Sequence, residues 1–201
     1  MNEPTIAQPV LFPDLIDRPL VATFDQPHAS SDGGALLFKA ADRHLGLLAA
    51  MTATVPDARA SARVTHGVGD LLGQRVFAIA CGHPDGNDAD RLADDPIHKL
   101  LLGRDPIDGS RLASQPTISR FEQTAAPRML LAMSHALADT VIARHRRRRR
   151  RVRLITIDLD VTEDQTHGAQ QLTFFNGFYD HWCYLPLVAS LTFAAEARQY
   201  L

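Results

Sequence analysis

The stretch that decides the fold reads Ile155-Thr156-Ile157-Asp158-Leu159-Asp160-Val161-Thr162. From residue 152 onward the side chains alternate with a period of two, and both alternating sets are largely apolar. That pattern predicts a central strand buried on both faces of a sheet. Asp158 and Asp160 come near its carboxyl end and lie two residues apart, so both project from one face of the strand. Because open α/β sheets place ligands at the carboxyl ends of their strands, the stretch predicts a candidate site there.

Two carboxylates this close repel each other unless a cation or a proton lies between them. Mg²⁺ is a hard ion that prefers oxygen ligands, which makes Asp160 and Asp158 candidate metal ligands. The alternative is that the strand ends in solvent and both aspartates serve as turn or cap residues. Spacing alone leaves the two interpretations open, since short acidic patterns recur by chance.

Upstream of residue 145 the sequence is predicted to be mostly helical. Apolar positions at helical spacing and Ser, Asp and Pro start signals predict helices over residues 34–51, 68–79, 88–94, 96–102, 114–122 and 127–145. Strands are predicted over residues 20–24, 172–175 and 183–193, with Asn176-Gly177 as a turn signal. The aromatic residues around this turn are expected in the core of the strands: Phe174, Phe175, Phe178, Tyr179, Trp182 and Tyr184.

Basic side chains are concentrated in one short segment. The chain has 21 basic and 23 acidic residues, yet residues 144–153 hold eight arginines and no acid. Such a run suits DNA phosphates, and a solvated linker between two domains is the alternative. The candidate DNA-binding residues are Arg146, Arg147, Arg148, Arg149, Arg150 and Arg151, together with Arg120. The segment of Arg120 fits a helix-turn-helix, and the alternative is a capping box at Ser119-x-x-Glu122 in a helix that packs on the next one. Arg75 interrupts an apolar helical face and is expected to pair with an aspartate such as Asp70, Asp88 or Asp90 rather than to bind DNA.

Composition narrows the class of protein. The 201 residues suffice for one ordinary domain or two small ones. Cys81 and Cys183 are far apart and lack partners at finger spacing, so the sequence supports neither a disulfide framework nor a structural zinc site. The acidic start is unlike a signal peptide, and apolar runs fall short of the roughly 18 residues of a membrane span. We expect a cytoplasmic protein.

Residues 158–162 also match the D-x-D-x-T signature of haloacid-dehalogenase-like phosphatases. That resemblance implies Asp158 as nucleophile and Asp160 as acid/base. The family also needs a downstream lysine, and no lysine follows Lys99. This interpretation therefore ranks second.

Several ordered blocks resemble insertion-sequence DDE transposases, DDE domain group 1, of the IS thirteen-eighty-like type. The resemblance covers roughly residues 23–187, and three blocks in the expected order are more specific than any single one. The blocks are residues 160–171 with 175–180 and 184–187, residues 82–92 with Asp95-Pro96, and residues 115–122.

The resemblance implies an α+β chain. An N-terminal mainly helical region for DNA binding or assembly (1–143) and an arginine-rich linker (144–153) precede the first strands of an incomplete ribonuclease-H-like α/β catalytic domain (154–201). Three carboxylates of that family hold two Mg²⁺ ions, and the first maps onto Asp160, with Asp158 as its neighbour. The second Asp and the closing Glu have no counterpart in these 201 residues. We therefore expect a truncated transposase that does not cut DNA alone.

The expected partners are the DNA of the element's terminal inverted repeats and either further copies of the chain or full-length transposase, but no membrane. The expected location is the cytoplasm, near the nucleoid. An alternative from another class is a non-catalytic DNA-binding or dimerising fragment that inhibits full-length transposase.

Overall fold

The computed structural model describes residues 14–15, 29–147, 154–168 and 170–193, and the backbone of 199–200. The chain divides into two compact units, Met1–Arg144 and His145–Leu201. The predicted strand over residues 20–24 lies outside the described residues. No helix in the described ranges is both long and apolar enough to span a bilayer.

Unit 1 is helical, as the sequence predicted. Pro residues begin α5, α6 and α7 within their first turn, where the missing N–H costs nothing, and Asp95 caps α5 by accepting from the backbone N–H groups of Ile97 and His98. The helices are α1 Ala35–Leu45, α2 Leu47–Thr52, α3 Val68–Ala80, α4 Asp88–Leu92, α5 Pro96–Leu101, α6 Gln115–Gln123 and α7 Pro127–Arg147, with a 3-10 turn at Ser61–Arg63.

The single helix predicted over residues 34–51 is wrong in one respect, because Gly46 divides it. Gly46 has a left-handed backbone (φ 68°), which glycine adopts without a Cβ penalty and which ends α1. The Asp42 carboxylate then accepts from the Leu48 N–H at 2.8 Å, which begins α2 in a new direction. Within α1, Leu36 is buried whereas the adjacent Leu37 is exposed.

Helix α3 is the centre of unit 1 and contacts α1, α2, α4, α5 and α6. Its Phe77 joins a buried cluster with Leu36 and Leu101, and its Leu71 joins a second one with Ile118. The absence of a side chain at Gly73 permits close packing, since a Cβ there would lie 2.8 Å from the Leu102 side chain. The apolar period of residues 68–79 thus predicted the central helix.

Unit 2 contains two three-stranded antiparallel sheets. One has the order β1-β5-β6 and the other the order β2-β4-β3. The turn predicted at Asn176-Gly177 is confirmed: the Asn176 side chain accepts from the Phe178 N–H, and its carbonyl accepts from the Asp180 N–H. The strands are β1 Ile155–Val161, β2 Asp164–Gln165, β3 Phe174–Asn176, β4 His181–Tyr184, β5 Leu187–Phe193 and β6 Gln199–Tyr200.

The burial predicted for β1 is wrong. All seven of its residues are exposed, Ile157 and Leu159 each by 62%. The reason is that β5 pairs with one edge of β1, while no described segment pairs with the other edge or buries either face. The expected aromatic core is also wrong, because five of the six aromatic side chains are exposed and Tyr184 is half-buried: Phe174, Phe175, Phe178, Tyr179 and Trp182 are the exposed ones.

Helix α7 extends into the segment predicted as an arginine-rich linker. It ends at Arg147, and its one buried residue, His145, stacks on Phe193 of β5 with ring centroids 3.9 Å apart. Both residues belong to unit 2. Arg148, Arg149, Arg150 and Arg151 lie outside the described residues.

Candidate functional site

Asp158 and Asp160 lie in the last four residues of β1, at the end of the strand where the sequence predicted a site. In the β1-β5 register they stand opposite Ser190 and Val188. Both aspartates are exposed, and Asp160 Oδ1 accepts from the Val161 N–H at 2.8 Å. The strand therefore holds two solvent-facing carboxylates on one face near its carboxyl end.

A third carboxylate, which no sequence motif indicates, follows directly. Glu163 lies between β1 and β2, and its Oε1 is 2.5 Å from Nε2 of His181 on β4. The Thr162 N–H donates to the Pro186 carbonyl at 3.0 Å, which holds this connection against the start of β5. Because Glu163 and His181 are eighteen residues apart in sequence, only the pairing of the strands brings them together.

The described arginines of the predicted DNA-binding set are exposed. Arg146 and Arg147 lie in the last turn of α7. Arg120 lies in α6, where its NH2 group is 3.4 Å from the Thr117 hydroxyl. Within the described ranges no carboxylate forms an ion pair with any of these three arginines, so their charges remain available to a ligand.

A cluster in unit 1 was missed by the sequence interpretation. The Asp32 Oδ2 atom lies 2.9 Å from Nε2 of His83 and 2.8 Å from Nε2 of His98. His98 is only 1% exposed. Among the residues that the structure describes, these three form the group whose potential metal-ligand atoms all lie within 4.8 Å of one another. No sequence motif predicts the group, because its members come from the loop before α1, the loop after α3, and α5.

A neighbouring arginine indicates which ring nitrogen of His83 carries the proton. Arg91 NH2 lies 3.0 Å from Nδ1 of His83. Guanidinium can only donate, so Nδ1 must be the acceptor and the proton of neutral His83 must be on Nε2. The protonated Nε2 then donates to the Asp32 carboxylate. In this arrangement the cluster is a hydrogen-bonded clamp, hereafter the Asp32 clamp.

The Asp32 clamp also stabilises the ionised carboxylate. Burial opposes ionisation, but the hydrogen bonds from His98 and His83, assisted by Ser31, outweigh it and lower the pKa of Asp32 below its ordinary value of 3.8. Burial, with Asp32 and Asp95 nearby, raises the pKa of the Cys81 thiol. Asp32 is therefore an anion at neutral pH, and Cys81 remains a thiol.

Arg75, which interrupts the apolar face of α3, was predicted to pair with Asp70, Asp88 or Asp90. It pairs instead with Glu122 of α6, at 2.5 Å, and also donates to the Pro84 carbonyl at 2.8 Å. The prediction of a structural rather than a DNA-binding role is consistent with these contacts. The error in the partner arises because α6 packs beside α3, which local spacing does not indicate.

The family model described as Transposase DDE domain group 1 matches residues 12–196. This match covers nearly the whole chain and both units, and the chain therefore belongs to the DDE transposases of that group. No curated protein and no solved structure matches it.

Proposed function

We propose that the chain takes part in DNA transposition as a DDE transposase of an insertion sequence of the IS thirteen-eighty-like type, with Asp160 as the first carboxylate of its catalytic triad. The observation that carries this proposal is the family match over residues 12–196 together with the location of Asp160 near the carboxyl end of β1. The family's substrate class is DNA, and its chemistry is the cutting and joining of phosphodiester bonds.

The Asp158–Asp160 pair fits a divalent metal such as Mg²⁺ in its donor type and its exposure. Mg²⁺ is commonly held by one or two carboxylates and keeps several waters, which two solvent-facing side chains on one strand face allow. In two-metal phosphoryl transfer the ions activate the attacking oxygen and stabilise the leaving oxygen. Holding both ions requires carboxylates beyond this pair.

An antiparallel sheet that has the acidic strand at its edge is compatible with a ribonuclease-H-like catalytic domain. β1, β5 and β6 are antiparallel neighbours with β1 at the edge, and β2, β3 and β4 come between β1 and β5 in the sequence. The edge of β1 opposite β5 presents backbone N–H and C=O groups that a further strand can pair with. In this proposal Asp160 lies beside that added strand, which is the arrangement a shared carboxylate site requires.

DNA binding is proposed to rest on the arginine run. Arg146 and Arg147 present exposed guanidinium groups without a carboxylate partner in the described part of the chain, and Arg148 to Arg151 continue the run in the sequence. If four arginines each neutralise a phosphate, the logarithm of the affinity for duplex DNA should fall with the logarithm of salt at a slope of about −3.6.

The first test of the proposal is a titration of a short fluorescein-labelled DNA duplex with the full chain, followed by anisotropy at several KCl concentrations. The expected result is binding with a steep salt dependence and a shallower slope in the Arg146→Gln/Arg147→Gln variant. Absence of binding at low salt, or binding without salt dependence, would overturn the DNA-binding function.

The second test concerns Asp160. The chain is mixed with an intact transposase of the same family and its element-end DNA, and cutting is measured with wild type and with Asp160→Asn. A change in cutting that requires Asp160 supports its place in the catalytic centre. Equal effects of wild type and Asp160→Asn contradict that role, while leaving the DNA-binding result untouched.

A further inference from the structure

Unit 1 contains a cleft of about 770 Å³ between the segment that follows α2 and one side of α6. We call it the arginine cleft because Arg59 and Arg63 from the first segment and Arg120 from α6 all line it. Arg120 lies 57 residues beyond Arg63 in the sequence, and the three arginines carry no common motif. Their convergence appears only in the folded chain.

The charge of the arginine cleft is strongly biased. Asp57 is the only acidic residue that lines it, against three arginines, although residues 1–143 as a whole hold more acids than bases. Arg59 is bound to Asp57 by two hydrogen bonds of 2.7 Å, which also lower the pKa of Asp57. Arg63 and Arg120 form no ion pair within the described residues, so two full positive charges remain.

Other groups in the cleft suit a phosphate. Thr65, Thr117 and Thr124 also line the cleft, where the Thr124 hydroxyl donates to the Phe121 carbonyl. Hydroxyls and guanidinium groups together are the usual donors to nucleic-acid phosphates. His66 adds no charge at neutral pH, because burial and the adjacent Arg104 lower its pKa. The cleft therefore combines three arginines with uncharged polar side chains, and its single acid, Asp57, is already paired with Arg59.

The α6 side of the cleft is anchored to α3. The buried Gln74 side chain of α3 donates to the Ala113 carbonyl at 2.8 Å and accepts from the Ala113 N–H at 3.0 Å, which fixes the chain directly before α6. Ile118 of α6 and Leu71 of α3 pack in one buried cluster. Arg120 thus projects from a helix that is anchored to α3.

We propose that the arginine cleft binds the phosphodiester backbone of DNA, with Arg63 and Arg120 as the phosphate contacts. Arg59 does not contact phosphate in this proposal because it is paired with Asp57. This inference rests on the proposed function, and it assigns to unit 1 a DNA contact separate from the arginine run. The cleft is open and its arginines are exposed on two separate segments, which suits a continuous polyanion passing between them.

The experiment compares the affinities of full-length variants for the same labelled duplex over a range of KCl concentrations. In Arg63→Gln/Arg120→Gln the salt slope should become shallower by about 2, and affinity at about 0.1 M salt should fall roughly eightfold for each lost contact. Arg128→Gln is the matched control, because Arg128 is an exposed arginine of α7 without an ion pair in the described part and outside the cleft. Its slope should fall by less than half a unit.

A variant with the opposite expected effect excludes loss of folding as the explanation. Asp57→Asn releases Arg59 and should tighten binding severalfold, whereas Asp139→Asn, which removes the same charge from an exposed position on α7, should change it little. If wild type binds DNA and the Arg63/Arg120 variant binds equally well, the cleft inference is overturned and the proposed function stands. If wild type binds no DNA, the proposed function itself fails.

Discussion

The central helix of unit 1 and the first strand of unit 2 are both apolar in sequence, yet they differ in burial. In α3, Phe77 and Leu71 each join a buried cluster, whereas every residue of β1 is exposed. Of the 17 buried apolar residues in the described part of the chain, 15 belong to unit 1, and Cys183 and Phe193 are the two in unit 2. An apolar pattern therefore indicates which element forms, but not whether it is buried.

The difference has a physical cause. Five short helices in the same segment of chain surround α3, so its burial depends on residues within about 50 positions. A strand is covered only when other strands pair with both its edges and further layers pack on both its faces. β1 has one neighbouring strand of this kind among the described residues. Local sequence sets the period of an element, whereas distant segments set its burial.

The largest effect expected from this comparison is on stability. Leu71→Ala removes a side chain that is 1% exposed and should lower the free energy of unfolding by about 2–5 kcal/mol, from lost transfer energy and the cavity left behind. Leu159→Ala, the same substitution on β1, should cost less than about 1 kcal/mol. Urea denaturation of the two variants measures both values. A cost for Leu159→Ala as large as that for Leu71→Ala would contradict the exposure of β1.

An intermediate effect is expected at the Asp32 clamp. Asp32→Ala leaves the Nε2–H groups of His83 and His98 without their acceptor. The free energy of unfolding should fall by about 1–3 kcal/mol, which is the cost of a buried unsatisfied donor. Asp32→Asn is the matched variant, since its amide oxygen can still accept while its charge is lost. The measurement is urea denaturation at neutral pH, and an Asp32→Ala protein as stable as wild type would show that the clamp contributes nothing.

The Asp32 clamp should also contribute to the dependence of stability on pH. Because the pKa of Asp32 is lowered in the folded state, its contribution is fully present above the unfolded value of about 3.8 and is lost as the pH falls below 3.8 through the folded pKa. Asp32→Asn lacks this component. The difference in unfolding free energy between wild type and Asp32→Asn, measured by urea denaturation, should therefore become smaller below pH 3.8. A difference that stays constant to lower pH would rule out the lowered pKa.

A smaller effect on stability, with a visible effect on association, is expected for β1. Ile157→Lys places a charge on an exposed apolar strand, one edge of which pairs with no described strand. Such charges are a common means by which natural proteins limit strand pairing between chains. Unfolding free energy should change by about 0.5 kcal/mol or less, while any self-association in sedimentation velocity should decrease. A large loss of stability would mean that Ile157 is buried after all.

Sequence predicted the elements better than their environment. The helical period predicted α3, and the Asn176-Gly177 signal predicted the turn between β3 and β4. The acidic pair was also predicted correctly to lie near the end of β1. The break at Gly46 was not predicted, because a glycine is tolerated within a helical pattern. Sequence spacing could not show which distant residues come together in the fold. The Asp32 clamp joins residues 66 positions apart, and the Glu163–His181 contact depends on strand pairing.

The central proposal is that Asp160, at the end of β1, is a ligand of a divalent metal, and the Asp32 clamp provides the comparison. The most direct test is Mn²⁺ titration of the full chain followed by electron paramagnetic resonance of the free ion, with Asp160→Asn and Asp32→Asn as paired variants. The account predicts that Mn²⁺ binding is lost in Asp160→Asn and retained in Asp32→Asn. Binding that survives Asp160→Asn, or that disappears in Asp32→Asn, would contradict it.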